Sequence, residues 1–249
     1  MEGGRRVDLT DSENTLLTHI REARENHATT APKAEELGVG IVDAYKVQAA
    51  LGEGREVVGY KMALVGPAKQ AQMGVDSPIY GRVYEDMILA SPVQLSSILQ
   101  PRLEPELAVV LREDLSPEAS PGAVHSAIGG IFLAIDFLSS VWEGYEFGAA
   151  DVVADNASGG GFLLGERLLI EPLEGNLRLY RNGQLLTEGP VGDTGNIGER
   201  LAWLSKAAGG LEAGQTVFLG SPATAVEAAP GTIELHGPRG SVLVADLQD

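Results

Sequence analysis

The chain has 249 residues, 44% hydrophobic and 21% charged, the balance of a globular protein long enough to bury a core. Its 35 acidic against 18 basic residues give a net charge of −17, a field that opposes nucleic acid and anionic membranes as partners. The absence of cysteine excludes disulfide frameworks, thiolate metal sites and cysteine nucleophiles, and leaves any metal to oxygen or histidine ligands.

Arg5 and Arg6 are not followed by an apolar run, so no secretory signal is read there and a cytoplasmic location is expected. From about Ser12 to Leu51 the chain reads as helical, with Leu16, Leu17, Ile20 and Ala23 at helical spacing and Asp11 or Ser12 as the cap. A second helix is expected to start near Val42. A soft boundary near Gly54 divides a helical subdomain, residues 1–54, from a β-rich catalytic domain, residues 55–249. Beyond it, short apolar runs split by Gly, Pro, Asp and Ser predict strands at 57–62, 103–111, 152–153, 161–164, 177–181, 216–219, 232–235 and 242–245. Helices are predicted at 121–128 and 198–208. The fold class is α+β, and the irregular order of strands and helices disfavours a doubly wound nucleotide fold. The apolar stretch from Ala127 to Leu138 is interrupted by Gly129, Gly130 and Asp136 and is shorter than the roughly 20 residues a bilayer requires.

Three carboxylates stand out. In a strand over Arg102 to Leu111, the period of two puts Glu104 and Glu106 on one face, close enough to share a hard cation. Taken alone, Glu-x-Glu is common on solvated strand faces. Asp136 lies alone among apolar residues, where a carboxylate is costly unless it is paired, with Arg102 for example, or bound to metal. Lys61 is the cation inside another apolar run, where a solvated lysine is the plainer reading. Asp151 to Gly161 combines acids, Asn156, Ser158 and three glycines. That composition suits either a turn or a loop whose backbone approaches a carboxylate ligand. It is neither a phosphate-binding loop nor a nucleophile elbow. The four histidines are scattered and form no ligand pattern.

Taken in order, Asp43 to Gln48, Gly59-Tyr60-Lys61, Gln72 to Gly81, Pro101 to Glu106, Val153 to Ser158, Trp203-Leu204 and Val217 to Ser221 resemble the 2-keto-4-pentenoate hydratase/4-oxalocrotonate decarboxylase family of the fumarylacetoacetate hydrolase superfamily. The resemblance implies a helical amino-terminal part followed by a mixed β-rich body of the fumarylacetoacetate hydrolase C-terminal-domain type. It further implies Mg²⁺ or Mn²⁺ on Glu104, Glu106 and the position of Asp136, an active-site Lys61, and a small 2-oxo carboxylic acid as substrate. Asp155 is carried as a second catalytic candidate, and Arg102, Asn156, Ser158 and Ser221 as substrate-binding ones. A homo-oligomer, and association with another enzyme of aromatic meta-cleavage catabolism, are expected on the same ground.

The chain departs from the family at two places. The family usually has Glu where Asp136 stands, and an arginine shortly after it where this chain reads Ser139-Ser140-Val141. Hydratases of the family commonly carry an acid where this chain has Ile79, so the expectation is a decarboxylase of a 2-oxo-enedioate, with a 2-hydroxypenta-2,4-dienoate hydratase as the alternative. A C–C bond hydrolase and a non-catalytic paralogue rank lower.

Overall fold

The computed structural model describes residues 7–169 and 173–249. Two helices open the chain, α1 (Asp11–Glu25) and α2 (Ile41–Leu51). Helix α1 is capped by Thr10, not by Asp11 or Ser12, in a reciprocal box with Glu13 that satisfies two amide donors otherwise left open at a helix start. Then follow β1 (Val57–Ala63), α3 (Pro67–Met73), β2 (Ile79–Tyr84), β3 (Val93–Gln94), β4 (Arg102–Leu111), α4 (Pro121–Ala127), β5 (Ile128–Leu138), α5 (Ala149–Ala154) and β6 (Gly159–Leu164). The chain closes with β7 (Asn176–Arg181), β8 (Gln184–Pro190), α6 (Ile197–Ala208), β9 (Thr216–Phe218), β10 (Val226–Glu227), β11 (Gly231–His236) and β12 (Val242–Gln248).

These strands make two sheets. One runs β2-β1-β9-β4-β5-β6, with β10 also on β4, and the other runs β3-β12-β11-β7-β8. Pairing is antiparallel except for β1 with β9 and β12 with β3. Along β4 and β5 the alternation decides everything that follows. Leu103, Leu107 and Val109 of β4, with Leu133, Ile135 and Phe137 of β5, join Leu177, Leu179, Ile233, Leu235 and Leu247 of the second sheet in one core. The residues between them, Glu104, Glu106 and Asp136, therefore face the other way.

A second core joins Leu16, Leu17 and Ile20 of α1 and Ala44 and Val47 of α2 to Ile79, Val141, Trp142, Val152 and Val153. It draws on both sides of Gly54. This packing corrects one prediction: Val152-Val153 is not a strand but part of α5, because Asp151 anchors that turn. One Asp151 oxygen accepts from the amides of Lys33 and Ala34 and the other from Gly148. Strands β2, β3, β8 and β10 lie outside the predicted ones, and the apolar run from Ile128 to Leu138 is a single long strand. Among the described residues no helix is long and apolar enough to cross a membrane.

Candidate active site

The register of the larger sheet assembles the site. Glu104 of β4 stands directly opposite Asp136 of β5, and Glu106 opposite Ala134. Across β9 the same face continues through Ala108, Phe218 and Lys61, whose register partner in β2 is Gly81. Phe162 of β6 lies beyond Asp136. Three carboxylates and one lysine thus share one face of a sheet whose other face is packed core.

One oxygen from each of Glu104, Glu106 and Asp136 lies within 4.8 Å of the others. Glu106 and Asp136 are fully buried. Like charges directly opposite on a sheet repel, and buried carboxylates lose their hydration, so such a cluster needs a cation. Lys61 supplies one: its Nζ lies 2.6 Å from Asp136 Oδ2, so Asp136 pairs with Lys61 and not with Arg102. One lysine does not balance three carboxylates. Glu106 Oε2 accepts from the Gly220 amide at 3.0 Å, while Glu106 Oε1 and Asp136 Oδ1 are buried without a hydrogen-bond donor. Orphaned carboxylate oxygens converging with a third suit a hard divalent cation, which prefers oxygen ligands.

The protonation equilibria carry the same signature. Burial pushes the Glu106 carboxyl well above its usual range, with the neighbouring charges of Asp136 and Glu104 adding to the shift. Burial raises Asp136 to about 6 despite the opposing pull of Lys61. Burial works against the Lys61 ammonium, but Asp136, Glu104 and Glu106 outweigh it and keep the lysine charged. Carboxylates held this high are short of positive charge.

The other expected site residues fall around this centre or away from it. Arg102 shares the face of Glu104, its guanidinium 4.1 Å above the Tyr145 ring. Ser221 Oγ donates to the Pro105 carbonyl and accepts from the Ala223 amide, fixing the turn whose Gly220 amide reaches Glu106. Asp155 is fully buried with both oxygens engaged: Oδ1 pairs with Arg24 at 2.6 Å, and Oδ2 accepts from Ser140 Oγ and the Val141 amide. Val141, where the family carries its arginine nearby, is itself buried in the second core. Asn156 clamps β2, accepting from the Arg82 amide at 2.7 Å and donating to its carbonyl at 2.8 Å. Ser158 Oγ is buried without a partner.

Asn156, Ala157 and Ser158 all have left-handed backbone, with φ of 55°, 53° and 54°. Each costs about 1–2 kcal/mol outside glycine. The clamp on β2 and the Asp155 anchor hold the segment in place. Gly81 admits it, because a Cβ there would lie 2.4 Å from the Asn156 carbonyl oxygen. A cavity of about 620 Å³ between α4 and α6 is lined by Leu107, which points to the core face of β4, so it lies across the sheet from the carboxylates.

A sequence model of the fumarylacetoacetate (FAA) hydrolase C-terminal family matches residues 21–246. The chain belongs to that family. It is 33% identical over 242 residues to a 2-keto-4-pentenoate hydratase of Burkholderia vietnamiensis, covering 89% of this chain and 92% of the relative. It is 29% identical over 242 residues to a 4-oxalocrotonate decarboxylase of Pseudomonas putida, covering 87% and 89%. The structure of 4-oxalocrotonate decarboxylase from Pseudomonas putida G7, complexed with magnesium and adipate, superposes with a TM-score of 0.87 at 27% identity over 98% of this chain and 100% of that one. This member of the fumarylacetoacetate hydrolase family therefore sits in its hydratase/decarboxylase branch, and it is an enzyme of the lyase class.

Three residues of this family member's site carried no signal in the sequence as read. Gly220 acts through its backbone amide, which every residue except proline possesses. Arg200, on α6, donates to the Leu219 carbonyl, and burial lowers its pKa while Glu106 opposes that shift. Lys69, on α3, lies 3.6 Å from Glu104 Oε1. The Gly66-Pro67 start of α3 was the available clue, since proline suits the first turn of a helix.

Proposed function

We propose that the protein is a Mg²⁺- or Mn²⁺-dependent decarboxylase of a 2-oxo-enedioate, with Glu104, Glu106 and Asp136 holding the metal. The single observation behind the choice of branch is Ile79. Strand pairing sets it opposite Ala63, two residues along from Lys61 and on the same face, and it is 2% exposed. An aliphatic side chain there gives apolar surface beside Lys61. Loss of a carboxylate as CO₂ favours such surroundings, whereas hydration needs a base next to the attacking water.

A divalent cation on the three carboxylates would act as a Lewis acid toward the C1 carboxylate and C2 carbonyl of the substrate. The side chains do the rest. When the bond to C6 breaks, its electron pair delocalises from C5 through C4 and C3 onto the C2 oxygen. The buried Lys61 ammonium meets that growing negative charge in a site of low polarity. Lys61 then delivers a proton to the C2 oxygen, giving the 2-hydroxydienoate, and Asp136 holds the ammonium in line. Glu106 is positioned by Gly220, and Arg102 by its stack on Tyr145.

The hydratase reading is supported by the 33% identity to the Burkholderia vietnamiensis enzyme. Proton NMR separates the two. Purified protein with Mg²⁺ is incubated with 2-oxohex-3-enedioate and, separately, with 2-hydroxypenta-2,4-dienoate. Faster CO₂ release from the diacid is the expected result. Formation of 4-hydroxy-2-oxopentanoate from the dienoate, without CO₂ from the diacid, would reverse the assignment.

A further inference from the structure

Helix α6 carries a cation that the helix itself does not need. Arg200 lies near its amino-terminal end, where the macrodipole disfavours positive charge. In a chain with 35 acidic residues it pairs with no carboxylate among the described residues. Its hydrogen-bond partners are backbone oxygens: Nη1 donates to the Leu219 carbonyl, and Nη2 to the Asp193 carbonyl at 3.4 Å.

The Leu219 carbonyl belongs to the same peptide group as the Gly220 amide, which donates to Glu106 Oε2 at 3.0 Å. In a trans peptide the C=O and the N–H point opposite ways, so one peptide plane joins the guanidinium to the Glu106 carboxylate. The turn is fastened to β4 on either side of that plane, by the Leu219 amide to the Leu107 carbonyl at 3.0 Å and by Ser221 Oγ to the Pro105 carbonyl at 2.9 Å. Those bonds fix where the turn lies, not which way the peptide between them faces. Gly220, with φ of 84°, has no side chain to resist a flip of the plane. A flipped plane would set a carbonyl oxygen against Glu106 in place of an amide. Arg200 opposes the flip, because a hydrogen bond from a charged donor is about twice as strong as a neutral one. It also polarises the peptide, which strengthens the amide as a donor to the carboxylate.

We propose that Arg200 is a positioning residue of the metal site: it orients the Leu219–Gly220 peptide so that the amide occupies Glu106 Oε2 and Oε1 is left to face the cation. This rests on the metal reading of the three carboxylates above. The charge of Arg200 works the other way, since a cation near a metal site repels the metal. The guanidinium is only half-buried and its charge is screened, so orientation outweighs repulsion.

Two measurements test this: Mg²⁺ affinity of the substrate-free protein by calorimetry, and the Gly220 amide resonance of the metal-free protein by NMR. Arg200→Met is expected to bind Mg²⁺ about tenfold more weakly, the weight of a hydrogen-bond partner behind a metal ligand. Its Gly220 amide proton moves upfield and exchanges faster with solvent. Arg200→Lys keeps a charged donor for the Leu219 carbonyl and recovers most of the affinity. Asn196→Ala removes the side chain that caps α6 and should lower the melting temperature while leaving Mg²⁺ affinity unchanged. Unchanged or tighter Mg²⁺ binding in Arg200→Met, equal weakening in Asn196→Ala, or an unmoved Gly220 resonance overturns the role of Arg200 alone. Failure of the unaltered protein to bind Mg²⁺ overturns the metal reading, and the proposal with it.

Discussion

Glu106→Gln isolates the charge of one ligand from its shape. The glutamine oxygen can still accept from the Gly220 amide, as Glu106 Oε2 does at 3.0 Å, so the turn after β9 is kept. What changes is the other atom. Glu106 Oε1, buried with no donor, becomes an NH₂ group that cannot ligate a cation. In the absence of metal the substitution removes one of three crowded carboxylates, so the melting temperature should hold or rise. With metal the order inverts. At a Mg²⁺ concentration about 100 times Kd, binding stabilises the unaltered protein by about 2.7 kcal/mol. For a chain of this size that is a rise of about 5–11 °C. The variant should lose most of that rise, and its turnover should fall at least about a hundredfold, since outer-shell partners of a ligand alone cost 10–100-fold. Differential scanning calorimetry across a Mg²⁺ series, with and without EDTA, reads the first effect, and the decarboxylation assay the second. A variant that keeps both the Mg²⁺-dependent rise and activity within a fewfold would refute the assignment of Glu106 as a ligand.

Asp136, raised to about 6 by burial, must lose its proton before it can bind metal. Mg²⁺ affinity measured by calorimetry should therefore fall about tenfold between pH 7 and pH 5, from that one group. A flat profile would argue against Asp136 as a ligand. Asp155→Asn should lower stability by about 2 kcal/mol, because it leaves Arg24 facing a neutral partner that is fully buried; the two-thirds burial of Arg24 keeps the loss below that of a closed pair. Turnover per folded molecule should stay within a fewfold. Lost turnover at unchanged stability would instead make Asp155 the catalytic residue that the sequence motif suggested. Gly81→Ala should cost about 1–3 kcal/mol in urea denaturation, since its Cβ meets the Asn156 carbonyl oxygen at 2.4 Å. No measurable loss would show that the left-handed turn at 156–158 yields readily.

Local pattern determined much of this protein in advance. Period two in 102–111 set Glu104 and Glu106 on one face, the lone Asp136 in an apolar run marked a carboxylate in need of a partner, and ordered motifs marked the family. Those signals live within a few residues of one another, where side-chain direction follows from backbone periodicity alone. Register is different. That Asp136 falls opposite Glu104, and that Lys61 reaches Asp136 across β9 and β4, depends on strands brought together from distant parts of the chain. Sequence left Asp136 equally open to Arg102. The same limit misassigned Val152-Val153, whose β-branched residues favour strands by propensity. Burial against α1 and α2 and the anchoring of Asp151 by the Lys33, Ala34 and Gly148 amides outweigh that preference and wind the segment into α5. Tertiary structure also gave Asp155, a catalytic candidate, and Asn156, a substrate-binding one, partners that the sequence could not name. Their polar atoms, once buried, had to find partners, and Arg24, Ser140, Val141 and Arg82 were the groups that folding placed within reach.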